Sequence, residues 1–454
     1  MSSKLDIARQ YVLENYNNGA DFRWDMLSRK LQIAVSRPPC GLKDRCANET
    51  LAAERPGEAL KDRLTAERQW QDLDTRAINS IACACATATQ TNVTDREVRI
   101  VLNSEDIPAV NPLRDYVYHL DEYNPNDHNG HSWIDWLSDQ VKVKGEEEDG
   151  NKTQADAQHW WRYCFKKWFV AMVACWLFDD VVNQEVLILI GRQGIYKTTW
   201  LERLMPPCLR AYCTKMANVR DLNKDERMRI AEFGLINLDE IDSMSDKELN
   251  QLKSIITSSD VNERAAYGYT KERRIRIASF CASGNKREFL TDQTGNRRWL
   301  PFEVESIESP YLYDNCFPYE QIYAEALYLL RNGFEYWFEL EEIEAMESHV
   351  ESFHVESNEE QLLPVYFQPA NPGDAGAVFM SAAEISSLLV SYGNIRHPLQ
   401  LCKLSTILQR HGYTPKKSHG KRGFVVLQVL DVTEQRKIDA RTAGDAGDAG
   451  DAVF

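Results

Sequence analysis

The sequence predicts an α/β protein whose core is a parallel sheet flanked by helices. Between residues 181 and 305, apolar segments typical of strands alternate with segments of helical periodicity; the strand-like segments are VLILI, GLINL and RIRIASFCAS. The first of them leads directly into a glycine-rich loop, GRQGIYKTT, which opens the next helical pattern. A hydrophobic content of 43% and a charged content of 27% are ordinary for a globular chain of this length, which can form two or three domains.

The loop at residues 191–199 has the form of a phosphate-binding loop. In such loops the backbone amides hold phosphates, the lysine reaches the β- and γ-phosphates, and the following hydroxyl binds Mg²⁺. Tyr196 stands where the pattern usually has its last glycine, a position that often needs positive φ, which is costly for an aromatic residue. The predicted nucleotide-binding residues are Gly191, Gln193, Gly194, Ile195, Tyr196, Lys197, Thr198 and Thr199.

Two adjacent carboxylates follow the second apolar segment. In GLINLDEID, Asp239 and Glu240 come about 40 residues after Lys197, at the end of a predicted buried strand. The first acid suits Mg²⁺ coordination together with Thr198, and the second suits activation of a water molecule. An isolated Leu-Asp-Glu could equally be a helix-capping acid, but its position after the loop favours a nucleotide site.

Two further polar signals follow in order. Asn285 ends the third apolar segment, where its amide could contact both the γ-phosphate and the attacking water; a lone asparagine would otherwise be a turn residue. Arg297 and Arg298 then precede the apolar run WLPFEV. An arginine supplied in cis or in trans stabilises the charge that develops in phosphoryl transfer. The alternative for this pair is a solvated or DNA-facing position.

The segment RAAYGYTKERRIRI has the form of a β-hairpin. Its predicted tip carries Tyr267, Tyr269 and Lys271, which could stack on bases and pair with phosphates of a single strand. A plain surface hairpin is the alternative interpretation.

The flanking regions are predicted from composition and periodicity. Residues 1–100 mix helical and strand-like pieces and have no assignable role, residues 101–180 form a helical connector, and residues 306–365 form an acidic helical segment. Residues 378–430 combine two amphipathic helices with a turn between strands, an order that resembles a winged helix. The tail at residues 436–454 is of low complexity and is expected to be disordered.

Charge and cysteine usage exclude several classes of protein. The net charge of −16 argues against general coating of nucleic acid, although residues 396–427 contain seven Lys/Arg and no acid. The eleven cysteines lack metal-site spacing and predict free thiols; a zinc site on Cys40 and Cys46 is a minor alternative. The chain has no apolar run long enough for a bilayer and no signal core, so we expect a cytoplasmic protein without a membrane partner.

The four motifs, in this order, resemble the core of superfamily 3 helicases. GRQGIYKTTW, INLDEID, the hairpin before SGN, and GNRRWLPFEV are more closely similar to the virulence-associated protein E family, which is related to the helicase parts of phage and plasmid primase-helicases. The resemblance covers roughly residues 100–340. Some branches of that family carry I-Y-K-T-T in the loop, so Tyr196 is interpreted as a family variant.

The resemblance implies an AAA+-like P-loop ATPase that uses ATP and Mg²⁺ and forms a ring, usually a hexamer, with each nucleotide between subunits. It implies phosphate and Mg²⁺ binding by Lys197 and Thr198, and Mg²⁺ binding by Asp239. Glu240 would be the general base, Asn285 the sensor, and Arg297 or Arg298 the arginine supplied by the neighbour. The hairpin at Tyr267, Tyr269 and Lys271 would line the pore and grip one DNA strand.

The function implied is an ATP-dependent DNA helicase or translocase in replication of a phage, prophage or mobile element. Its partners would be single-stranded or forked DNA and further copies of the same chain. Because residues 1–100 show no primase signature, priming would either fall to a separate primase or not take place. One alternative is a nucleotide-gated ring with slow turnover, suggested by Tyr196. Another is a site-specific DNA-binding protein led by residues 378–430.

Overall fold

The computed structural model describes ten stretches of the chain, and these divide into two compact units, Met1–His354 and Val355–Phe454. The described residues are 3–35, 69–126, 130–145, 154–216, 228–263, 272–290, 296–313, 317–396, 398–418 and 420–429. Cys40, Cys46, Tyr267, Tyr269, Lys271 and the tail at residues 436–454 lie outside them.

The first unit begins with a small mixed α/β layer, as the sequence predicts for residues 1–100. Its sheet has the order β3-β2-β1-β4, and its helices bury Ala8, Val12, Ile78 and Val98 against Phe22. The elements are α1 (Lys4–Asn15), β1 (Phe22–Asp25), β2 (Lys30–Val35), β3 (Gln69–Asp72), α2 (Thr75–Thr89), α3 (Asp95–Leu102) and β4 (Ala109–Val110).

A long buried helix connects this layer to the main sheet. The connector contains α4 (Pro112–Tyr118), α5 (Trp133–Asp139), β5 (Val141–Val143) and α6 (Gln154–Leu177). From residue 168 to residue 177 every side chain of α6 is apolar and buried, so this part of the helix is apolar on all sides. Trp161, Trp168 and Trp176 are fully buried, and α6 forms the centre of the largest core of the protein.

The main sheet has six strands, in the order β5-β12-β6-β11-β8-β7. Its neighbours pair in parallel, except that β5 is antiparallel to β12. The strands after β5 are β6 (Val186–Ile190), β7 (Cys213–Met216), β8 (Leu235–Leu238), β11 (Ser279–Gly284) and β12 (Trp299–Ile307). The helices α7 (Lys197–Arg203) and α8 (Asp246–Ile256) follow β6 and β8, and α8 begins with a capping box of Ser245 and Glu248. The predicted sheet with flanking helices is confirmed.

The predicted strand RIRIASFCAS is wrong as a single element. Its first part lies in β10 (Glu272–Ile275), which pairs antiparallel with β9 (Asp260–Glu263), and only its second part enters the main sheet as β11. The break occurs at Arg276, which is 1% exposed and donates hydrogen bonds to the carbonyls of Asn183 (2.8 Å) and Ala278 (3.1 Å). The buried guanidinium needs these hydrogen bonds, and they form where the chain leaves the pairing of β10 with β9 and enters the pairing of β11 with β8.

Two helices after the sheet, α9 (Tyr319–Arg331) and α10 (Leu340–Glu351), complete the first unit. The Tyr319 hydroxyl donates to the Arg203 carbonyl at 2.9 Å, and the Tyr323 hydroxyl donates to the Leu204 carbonyl at 2.8 Å. These carbonyls end α7 and have no partner inside that helix. Trp200, in the middle of α7, donates its indole N–H to the Gln140 side chain at 3.0 Å. The helix that follows the loop is therefore held at its middle and at its end.

The second unit has its own core of Leu363, Ile385, Leu389, Leu404 and Leu408. Its strand β16 pairs antiparallel with β13, β14 and β15. The unit includes a helix that the sequence analysis assigns to the acidic segment, and the winged-helix likeness stays a prediction. The elements are α11 (Asn358–Tyr366), β13 (Phe367–Pro369), β14 (Ala377–Met380), α12 (Ala382–Gly393), α13 (Leu401–Arg410), β15 (Pro415–Ser418) and β16 (Lys421–Gln428).

None of the helices in the described stretches is both long enough and apolar enough to span a bilayer.

Candidate nucleotide site

Three of the sequence motifs meet at the carboxyl edge of the main sheet. Because β6, β11 and β8 are parallel neighbours, the residues that follow them lie at the same edge: Gly191 after β6, Asn285 after β11 and Asp239 after β8. The Gly191 amide donates to the Gly284 carbonyl at 3.1 Å, which fixes the start of the loop to the end of β11. Ligands of open parallel sheets bind at this edge.

Lys197 lies at the centre of the site, as the first residue of α7. It is 7% exposed, and its ammonium donates to the carbonyls of Gly191 (2.6 Å) and Arg192 (2.7 Å) and to Asn285 Oδ1 (3.3 Å). Burial lowers the pKa of Lys197, while Asp242 and Asp239 act in the opposite direction. The predicted phosphate lysine and the predicted sensor amide are thus brought into direct contact.

A cluster of oxygen atoms lies beside the lysine and fits a magnesium ion. Ser283 Oγ donates to Asp239 Oδ1 at 2.8 Å, and Thr198 Oγ1 lies 3.4 Å from the same carboxylate oxygen and 3.2 Å from Ser283 Oγ. Mg²⁺ prefers oxygen ligands and commonly takes one or two from the protein, with the remainder from phosphates and water. Within the described residues no group of three or more His, Cys, Asp or Glu is arranged to hold a metal ion.

Asp242 and Ser283 are site residues that the sequence analysis missed. Asp242 Oδ2 accepts a hydrogen bond from the Lys286 amide at 3.1 Å, and its buried Oδ1 has no hydrogen-bond partner among the described residues. A side chain at Gly284 would come within 3.1 Å of that oxygen. The available signals are a third acid in LDEID and a hydroxyl near the carboxyl end of the strand SFCASG.

Tyr196 adopts the backbone conformation expected of the glycine that it replaces. Its φ is +68° and its ψ is 17°, in the left-handed region, and Gly194 has φ +86°. The Tyr196 side chain leaves the loop, is 39% exposed, and packs edge-on against Tyr311 with ring centroids 6.1 Å apart. The aromatic ring therefore does not fill the phosphate cradle, although the backbone strain remains.

The other loop residues divide into anchors and exposed positions. A Cβ atom at Gly191 would lie 2.8 Å from the Val304 carbonyl, so this close approach needs glycine. Ile195 packs against the main core under the loop. Gln193 and Thr199 are exposed and remain available to a ligand.

Glu240 follows Asp239 at the same edge and is exposed. Its φ of +55° also lies in the left-handed region, and it begins a short 3-10 turn that runs to Ser243. This turn brings Asp242 back towards β11 while Glu240 faces solvent. A carboxylate in contact with water is suited to act as a general base.

Arg297 and Arg298 lie at the opposite, amino edge of the sheet. They end a 3-10 turn that leads into β12, whose first residue, Trp299, pairs with Val186 at the start of β6. The loop begins after the last residue of β6, about 13 Å away, which is four steps of roughly 3.3 Å. The arginine pair is therefore not part of the phosphate site of its own chain.

A carboxyl group accompanies the arginines at this edge. Burial raises the pKa of Glu185, the residue before β6, to about 7, and Arg276 and Arg297 act in the opposite direction. The pKa of Arg298 is lowered by burial and by Arg297, and raised by Glu185. The amino edge thus places Arg276, Arg297 and Arg298 around one half-buried carboxyl group, that of Glu185.

One family model matches the part of the chain that contains these motifs. Residues 150–355 match the model of the virulence-associated protein E-like domain. Among curated proteins, none has a sequence that matches this chain.

Solved structures show only distant likeness. The apo structure of the NrS-1 C terminal region (305-718) is 12% identical, with a TM-score of 0.40, over 94% of this chain and 100% of that one. The A form apo structure of the NrS-1 C terminal region is 11% identical, with a TM-score of 0.41, over the same shares. Likeness at this distance carries no argument about the site. The matched residues 150–355 include the loop, the two acids, Asn285 and the arginine pair, so this part of the chain is similar to the virulence-associated protein E-like domain.

Proposed function

We propose that this protein is an ATP-dependent DNA helicase or translocase that hydrolyses ATP between the subunits of a ring, expected to be a hexamer. The observation that carries the proposal is the division of the predicted catalytic residues between two edges of one sheet. Lys197, Asp239 and Asn285 converge at the carboxyl edge, whereas Arg297 and Arg298 lie at the amino edge. A complete site then needs a second copy of the chain.

The carboxyl edge supplies most of the chemistry. The loop amides and Lys197 bind the phosphates, and Thr198 and Asp239 hold the ion. Mg²⁺ supplies charge neutralisation of the phosphate oxygens when bound. Glu240 accepts the proton of the attacking water, and Asn285 orients that water against the γ-phosphate while its amide oxygen accepts a hydrogen bond from Lys197.

The neighbouring subunit supplies the arginine. A head-to-tail interface, in which one chain presents its amino edge to the carboxyl edge of the next, closes into a ring when the rotation allows it. The arginine that reaches the γ-phosphate stabilises charge that develops only in the transition state. Assembly is thereby coupled to hydrolysis.

DNA is the proposed track, in replication of a phage, prophage or mobile element. The antiparallel pairing of β9 with β10, in register from Glu263 to Glu272, supports a hairpin whose tip would carry Tyr267, Tyr269 and Lys271. Such a tip could stack on the bases of single-stranded or forked DNA and pair with its phosphates. Priming would be done by a separate chain.

Mixing two inactive variants tests the divided site. Glu240→Gln and the double variant Arg297→Ala/Arg298→Ala should each be inactive alone. In a random mixture, one interface in four combines an intact Glu240 with intact arginines from its neighbour, so ATPase activity should recover to about a quarter of the wild-type value. Glu240→Gln mixed with Lys197→Ala is the matched control and should not recover, because both residues belong to the same half-site.

Two results would count against the proposal. Absence of recovery in the first mixture would place all residues in one chain. Absence of stimulation by single-stranded DNA, together with no unwinding of a forked substrate, would exclude the helicase or translocase role.

A nucleotide-gated ring with slow turnover is the second candidate. The observation in its favour is the strained backbone of Tyr196, which could permit binding without efficient hydrolysis. Sizing the protein with and without ATP, beside Glu240→Gln, separates the two functions. Fast hydrolysis that depends on Glu240 would exclude this candidate.

A further inference from the structure

A groove runs along the exposed side of α7, beside the phosphate loop. Its volume is about 400 Å³, within the usual range of small-molecule sites, which begins at roughly 300 Å³. One wall is the helix itself, with Thr199 and Glu202, and the others are the 3-10 turn that follows β12 and the edge strand β7. Its lining includes Thr199, Glu202, Thr214, Lys215, Pro310 and Tyr311.

The groove adjoins the phosphate-binding loop through two contacts. Thr199, which lines it, directly follows Thr198 of the oxygen cluster. Tyr311, on the 3-10 turn Pro310–Tyr313, lies against the ring of Tyr196 from the loop. A molecule whose phosphates are held by the loop amides would therefore extend into this groove with its remaining part.

The groove presents one exposed aromatic ring, that of Tyr311. Tyr311 is 67% exposed, which is unusual for a ring that already contacts another aromatic side chain. The cations along the groove have partners: Lys215 pairs with Glu202 at 2.6 Å, Arg203 lies 4.7 Å over the ring of Phe317, and Arg210 is bonded to Tyr319. The hydroxyls of Thr199 and Thr214 add donors and acceptors. A flat heteroaromatic group with polar edges fits this lining better than a second phosphate does.

We propose that Tyr311, supported by the edge of Tyr196, is the stacking surface for the base of the nucleoside triphosphate whose phosphates the loop holds. This inference rests on the proposed function and adds the nucleoside-binding part of its site. It also gives Tyr196 a role: the left-handed backbone keeps the ring out of the cradle and places it against Tyr311.

Binding of ATP and of inorganic triphosphate to the full chain, each with Mg²⁺, tests the assignment. Wild-type protein should bind ATP more tightly than triphosphate. Tyr311→Ala should raise the Kd for ATP about tenfold, since base–aromatic stacking has an effect of this order, and should leave the Kd for triphosphate unchanged. Tyr311→Phe should bind ATP as the wild type does. Leu312→Ala is the matched control, because Leu312 is in the same turn and 70% exposed but does not line the groove.

Equal weakening of ATP and triphosphate binding by Tyr311→Ala would overturn the inference, because Tyr311 would then support the loop rather than the base. Unchanged ATP binding would overturn it as well. In both cases the wild type still binds ATP, so the proposed function survives. A wild-type protein that binds neither ligand would overturn the proposed function and this inference together.

Discussion

The two edges of the main sheet differ in backbone as well as in charge. The carboxyl edge places hydroxyl, carboxylate and amide oxygens around Lys197, and two of its residues, Tyr196 and Glu240, have positive φ. At the amino edge, β12 begins in regular pairing, and the arginine pair lies beside Glu185. Strain thus accompanies the residues proposed to surround the phosphates, whereas the arginines proposed to reach a neighbour lie in a 3-10 turn and do not have positive φ.

The largest expected effect comes from the amino edge. Replacing Arg297 or Arg298 by alanine should identify one position at which ATP turnover falls about 10³-fold or more, as for other arginines that act in trans, with the Kd for ATP unchanged. Lysine at that position should not restore turnover, because it lacks the planar fork of donors. Steady-state hydrolysis without DNA measures the effect, and Arg273→Ala, 74% exposed on β10, is the control. An equal rise in Kd would place the arginine in ground-state binding instead.

The next effect belongs to the carboxyl edge. Glu240→Gln should lower kcat by about 10²–10⁴-fold without weakening ATP binding, because a general base acts only in the chemical step. Asp239→Asn should instead weaken the Mg²⁺ dependence of binding, since Asp239 shares the oxygen cluster with Thr198 and Ser283. Titration calorimetry with and without Mg²⁺ separates the two. Weaker ATP binding in Glu240→Gln would show that the two acids share one role.

Glu185 should make the stability of the first unit depend on pH. Its pKa is raised to about 7 in the folded protein, so between the ordinary carboxyl pKa and about 7 the folded state holds a proton that the unfolded state has lost. Stability therefore falls as the pH rises through this window, by about 3 kcal/mol at most. Glu185→Gln should remove this part of the fall in thermal midpoint with rising pH. Glu341→Gln, on the exposed face of α10, is the control. An unchanged decline would contradict the burial of Glu185.

The smallest effect isolates the strain at Tyr196. Tyr196→Gly and Tyr196→Ala both lose the contact with Tyr311, but only glycine relieves the positive φ, so the glycine variant should be more stable by about 1 kcal/mol. Chemical unfolding of the first unit measures the difference. Arg29, exposed and with φ +56°, should show the same difference between glycine and alanine. Equal stability of the two Tyr196 variants would mean that the loop relaxes.

The convergence of Lys197, Asp239 and Asn285 could be predicted from sequence because parallel strands bring their carboxyl ends to one edge. The roles of Asp242 and Ser283 could not, since they depend on the left-handed turn at Glu240 and on which side of β11 faces α7. The edge at which the arginines lie depends on the register of β12 with β6, and the sequence pattern does not contain that register. The break at Arg276 could not be predicted because the alternation of polar and apolar residues continues through it from β10 towards β11.

The helix that carries Lys197 is also a stiff mechanical element. Its middle is bonded to Gln140 through Trp200, and its last carbonyls are bonded to two tyrosines of α9. Because its middle and its end are both held, such a helix cannot absorb a shift of its first turn by bending or sliding. A displacement that begins where a phosphate bond breaks would therefore move α9 and the aromatic side chains around α6 as a rigid body. The hydrophobic core that contains α6 would in this way transmit the movement of the loop.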